Sequence, residues 1–65
     1  MKKDFYVISK GEFKTGTIKN IPDELKTDED ILDYISKTLE EFEIYNIEIT
    51  ENDIVNPDFL IDCNS

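Results

Sequence analysis

The chain contains no arginine, histidine, tryptophan, alanine or glutamine. Without histidine it lacks the usual general base at neutral pH and the imidazole of a Cys–His zinc site. Its single cysteine, Cys63, excludes an internal disulfide. Without arginine there is no planar fork for bidentate recognition of phosphate. Internal repeats, a linker and any low-complexity tract are absent as well. No apolar run approaches the ~20 residues that cross a bilayer, so no membrane association is expected. Met1, Lys2 and Lys3 make a basic start, but Asp4 follows, and no apolar stretch of leader length comes after it. A lone thiol fits a reducing compartment, and a cytoplasmic location is expected.

What is present amounts to 65 residues, the length of one small domain. Such a chain buries only roughly 60% of the surface exposed by its unfolded form. With no disulfide available, pairing with a second copy is the remaining reinforcement, and a homodimer is carried as an expectation. Charged residues make up 35% of the chain, but ten isoleucines and seven aromatics are spread along it. Disordered chains are poor in both types, so a folded domain is expected. The abundance of Lys, Ile, Asn, Tyr and Phe, which have AT-rich codons, points to a low-GC bacterium or its phage.

The net charge is −9 and unevenly placed. Residues 1–20 carry five lysines against Asp4 and Glu12, which leaves +3. Residues 21–65 carry Lys26 and Lys37 against fourteen acids, which leaves −12. A field of this kind steers encounters with a basic partner and repels nucleic acid from the acidic side.

Along the chain, residues 1–21 read as a β-hairpin. Asp4 to Ser9 is rich in β-branched and aromatic residues, and Lys10-Gly11 suits a tight turn. Glu12 to Lys19 follows as a second strand. Phe13 and Ile18 fall on opposite parity, and a bulge at Gly16 would restore them to one face. Residues 27–43 read as a helix. Thr27 precedes Asp30 at capping-box spacing, and Asp28, Glu29 and Asp30 suit the positive end of the helix dipole. Leu32, Ile35, Leu39 and Phe42, with Ile31 beside them, make one apolar stripe. Glu40, Glu41 and Glu43 then sit where the dipole favours cations, a conflict with local preference.

Residues 44–50 read as a strand with Tyr45, Ile47 and Ile49 on one face and Asn46, Glu48 and Thr50 on the other. Residues 51–65 hold turns at Glu51-Asn52-Asp53 and Asn56-Pro57-Asp58. The alternation of Phe59, Ile61 and Cys63 admits a short fourth strand at an edge. The expected fold is α+β: a small antiparallel sheet, β-β-α-β with room for the extra C-terminal strand, and one amphipathic helix packed on one face. The expected core is Phe5, Val7, Phe13, Ile18, Ile35, Leu39, Phe42, Ile47 and Ile49.

Catalysis has little to work with, and no enzyme, cofactor or metal is expected. Cys63 has no histidine or arginine to activate it, and reads as a small apolar residue on a terminal strand. The acids Asp28, Asp30 and Asp33 lack the central glycine and alternating ligands of an EF-hand, and suit a first helical turn better. Lys2, Lys3, Lys10, Lys14 and Lys19 lie near Phe5 and Tyr6, but the whole molecule would repel phosphate, so direct nucleic-acid binding is not expected.

The acidic surface remains, with the simplest reading that charge keeps a small protein soluble. A functional reading takes Glu29, Asp33, Glu40, Glu43, Glu48, Glu51 and Asp53 as partner-binding residues. Acids at i and i+4 of a helix lie about 6 Å apart, and rows of carboxylates compete for sites that receive nucleic-acid phosphate. In composition, over the whole chain, the protein resembles small phage and mobile-element proteins that inhibit host machinery. That resemblance implies a DNA-mimic-like inhibitor or regulator of a host complex. The expected partner is a basic protein surface on a nucleic-acid-binding or defence complex. The alternative is a homo-oligomeric structural or regulatory module that uses an apolar sheet edge or face.

Overall fold

Lys10 and Gly11 both take positive φ, 53° and 79°. That pair marks a two-residue type I′ turn, whose twist matches that of the strands it joins. It closes β1 (Lys3–Ser9) on β2 (Glu12–Lys19) in unbroken antiparallel register, with Phe5 opposite Gly16 and Ser9 opposite Glu12. The computed structural model describes residues 1–64. It adds α1 (Asp28–Thr38), a 3₁₀ turn (Glu40–Phe42), β3 (Ile44–Thr50) and β4 (Phe59–Asp62). The chain is thus a small α+β domain.

The strands form one sheet in the order β3-β1-β2-β4. β1 is antiparallel to β2 and β3, but β4 runs parallel to β2. The sheet is therefore mixed, not the purely antiparallel one expected. The chain's route explains this. β3 and β4 lie on opposite edges and point the same way, so residues 51–58 cross the sheet instead of turning back.

α1 and this crossing segment cover opposite faces. On the helix face, Phe5, Val7, Ile18, Ile31, Ile35, Leu39 and Ile61 are buried together, and Ile21 joins them. On the other face, Asp4 is buried and anchors the crossing segment. Thr17 Oγ1 donates to Asp4 Oδ1 at 2.7 Å, and the Ile54 amide donates to Asp4 Oδ2 at 3.2 Å. Asn52 Nδ2 donates to Tyr6 Oη at 3.1 Å. The Asp58 amide donates to the Thr15 carbonyl, and the Thr15 amide donates to Asp58 Oδ2, both at 2.9 Å.

The start of α1 follows local sequence. Thr27 Oγ1 accepts from the Asp30 amide at 3.1 Å, and Asp30 Oδ2 accepts from the Thr27 amide at 3.3 Å, completing the capping box. The end does not follow the expected span of 27–43. α1 stops at Thr38, Leu39 caps it, and the chain tightens into the 3₁₀ turn before Glu43 enters the left-handed region at φ 54°. Glu40, Glu41 and Glu43 are therefore not the last turn of α1. That turn carries Lys37, and the acids read from sequence as its end fall in and just after the 3₁₀ turn, which has no basic residue of its own.

Two expected core residues, Phe13 and Phe42, and the face assigned to Tyr45 differ from expectation, each for a local reason. No bulge occurs at Gly16, because Phe5 packs directly over it, where a Cβ would lie 2.3 Å from the ring. Phe13 therefore stays on the face away from α1, 65% exposed. The bulge instead falls between β1 and β3, where Ile8 pairs with Asn46 and Ser9 with Ile44. Tyr45 is the extra residue. It leaves the helix face, and Ile44 packs there with Ile47 and Ile49. Phe42 lies past the end of α1 and is half-covered, edge-on to Phe59 with ring centroids 5.1 Å apart.

Candidate functional site

β3 is an edge strand seven residues long. An edge strand offers backbone donors and acceptors that its own sheet leaves unpaired. Natural edges are blunted by lysine, proline, short length or a covering element. β3 contains neither lysine nor proline, and its regular pairing is broken only at the Tyr45 bulge. β4, the other edge, is four residues long.

An open cleft of about 500 Å³ runs between β3 and α1. Ile44, Ile47 and Leu32 give it an apolar floor, and Glu29 and Asp33 form its helix wall. Tyr45 stands at its mouth, 83% exposed. The bulge sets this geometry. An unbroken alternation would have turned Tyr45 into the core and Ile44 out to solvent.

The seven acids picked out by sequence take up positions around this strand. Glu29 and Asp33 lie across the cleft on α1. Glu40 lies in the 3₁₀ turn that leads to β3, and Glu43 is the residue before it. Glu48 lies on β3 opposite Tyr6, on the face away from α1. Glu51 follows the strand directly, and Asp53 comes two residues later. All seven are exposed. They do not form one helical row, because α1 carries only two of them. Asp33 also pairs with Lys37 at 3.1 Å, whereas Lys3 pairs with Asp28 at 3.1 Å. No lysine follows Lys37 in the chain, so the Glu43 end of β3 is acidic, while Lys2 and Lys3 line the groove beside Thr50, Glu51 and Asp53 at its other end.

The sequence admitted an apolar sheet face as an alternative contact without showing which residues form it, and it placed Phe13 in the core. On the open face of the sheet, Ile8, Phe13 and Leu60 are 39%, 65% and 63% exposed, and the rings of Tyr6 and Phe13 are 5.1 Å apart. The crossing segment covers the Asp4 end of this face and leaves Ile8 and Phe13 bare at the hairpin end, whereas Leu60 lies apart from them on β4, beside Thr17. The hydrogen bond from Asn52, with Thr50 adding to it, holds the Tyr6 phenol below its ordinary pKa. The sequence did carry a signal for the bulge: Ile44, Ile47 and Ile49 are spaced three and then two apart, which one strand face accommodates only with an extra residue.

Among the described residues, no group of three or more Cys, Asp or Glu side chains is assembled to hold a metal ion. Cys63 is half-buried against the core beside Tyr34, and its thiol pushes the Tyr34 phenol above its usual pKa. No helix of the described residues is long and apolar enough to cross a membrane. Comparison with known proteins gives no match to a family model, a curated protein or a solved structure.

Proposed function

We propose that this is a small interaction protein that binds a basic surface of a host macromolecular complex and inhibits or regulates it. The observation that carries the reading is the anionic frame around β3. Residues 21–43 alone hold nine acids against Lys26 and Lys37, and of the hairpin lysines Lys3 pairs with Asp28 while Lys2 and Lys3 reach only the Glu51 end of β3. Electrostatic complementarity of this kind acts chiefly on association rate and specificity. A nucleic-acid-handling or defence complex of a low-GC bacterium is the partner class that fits, because its phosphate-binding surface already attracts dense negative charge. The carboxylates frame one strand instead of running in parallel rows, so the likeness to nucleic acid is one of charge, not of duplex spacing.

A second reading rests on the exposed Ile8 and Phe13 beside Tyr6. Two copies joined through this face would cover apolar surface and keep their acidic helix layers apart.

Affinity capture from a nuclease-treated lysate of a low-GC bacterium, at about 0.05 and 0.5 M salt, separates the two readings. The first expects a specific protein to be retained at low salt and released at high salt. It also expects the Glu29→Lys/Glu48→Lys variant, altered only at exposed positions, to lose that protein at least tenfold. Retention insensitive to both changes overturns the acidic-surface reading. Recovery of the protein alone, dimeric by sedimentation and monomeric as Phe13→Ser, establishes the second reading instead.

A further inference from the structure

The free edge of β3 has a defined chemistry, and it narrows what the partner presents. We infer that the partner docks an extended, lysine-bearing segment as an added strand along β3, in the cleft between β3 and α1. This inference rests on the acidic-surface reading above and specifies how that surface is used.

Backbone comes first. The outer edge of β3 has no strand beside it among the described residues, and an extended peptide satisfies such an edge through its own main chain. β4 offers a poorer edge, because it is four residues long.

Charge then selects the occupant. Side chains of an added strand alternate between the two faces of the sheet. On the α1 face they meet Glu29 and Asp33, and on the open face they meet Glu48. Glu43 stands at one end of the strand, and Glu51 with Asp53 at the other. A cation is therefore favoured on both faces and at the Glu43 end, whereas Lys2 and Lys3 offset Glu51 and Asp53 at the other. A second copy of β3 is disfavoured, because it would bring its own Glu43, Glu48, Glu51 and Asp53 into this frame. Tyr45, turned outward by the bulge, adds an aromatic face on which a lysine ammonium or its stem rests. The apolar floor of Leu32, Ile44 and Ile47 suits a β-branched residue between lysines.

The test uses the full chain, labelled with ¹⁵N, and three synthetic ten-residue peptides with blocked ends. The first repeats two lysines followed by two valines, which puts both residue types on each face of an extended strand. The second has the same sequence with every backbone nitrogen methylated, which keeps the charge and removes the strand donors. The third is the first with every lysine replaced by glutamate. Changing the peptide avoids substitutions within β3 that would unfold the sheet. At low salt the lysine–valine peptide is expected to bind. It should slow amide hydrogen exchange within Ile44–Thr50 at least tenfold, and the methylated peptide should bind at least tenfold more weakly. Equal binding of the two lysine peptides, with no added protection in β3, overturns strand addition but leaves the acidic-surface reading standing. Failure of both to bind, or equal binding of the glutamate peptide, overturns the inference and that reading together.

Discussion

At the scale of single residues, Gly16 shows how one missing side chain sets the core. Phe5 is fully buried on β1, and its ring occupies the space a Cβ on Gly16 would need. Gly16 does not have positive φ, so the requirement is for space and not for backbone freedom. Gly16→Ala is therefore expected to lower unfolding free energy by about 1–3 kcal/mol through overpacking. Urea denaturation should show a lower midpoint with an unchanged slope. Full stability in that variant would mean that the Phe5 ring does not lie over β2. Glu43 is strained in a different way. It holds φ 54° without being glycine, a conformation that costs roughly 1–2 kcal/mol, and it does so at the entrance to β3.

At the scale of elements, β4 is short and depends on its fastenings. Asp62 Oδ1 accepts from Asn20 Nδ2 at 2.8 Å and from the Asn64 amide at 2.9 Å, and Lys19 Nζ lies 3.9 Å from Oδ2. The Asn20 bond first, then the Asn64 amide and Lys19, hold the Asp62 carboxyl below the usual carboxylate range. A folded pKa below the unfolded one gives stability that is present above the unfolded value and lost as pH falls through the folded one. The stability gap between wild type and Asp62→Asn should therefore be widest near neutrality and close below about pH 4. Urea unfolding between neutral and acid pH measures it. A gap constant with pH would show that the carboxylate charge adds nothing to the fastening of β4.

At the scale of the whole molecule, a charge of −9 is confined to a body with a radius of gyration of 10.9 Å. The screening length is about 10 Å at 0.1 M salt, so at lower ionic strength acids repel one another across the domain. Raising salt from about 0.01 to 0.5 M is expected to stabilise the fold by roughly 1 kcal/mol, or about 4–8 °C in Tm. Calorimetry across that range checks it. A flat Tm would mean that the hairpin lysines already balance the field. If the proposed basic partner exists, the same salt series is expected to weaken its capture, so stability and binding should move in opposite directions.

Much of this protein follows from short-range chemistry that its sequence displays. Lys10-Gly11 marks the hairpin, Thr27 with Asp30 marks the start of α1, and the unequal division of lysines and acids marks the charge asymmetry. These are decided within a few residues, by turn sterics, capping and composition. The direction of β4, the exposure of Phe13, the early end of α1 and the outward turn of Tyr45 were decided only by packing. Parity along one strand does not reveal which neighbour will fill the space over a glycine, nor where a bulge will fall. The candidate acids were legible as residue types. Their gathering around one free edge was not, because α1, the 3₁₀ turn, β3 and the crossing segment meet there only once the sheet has formed.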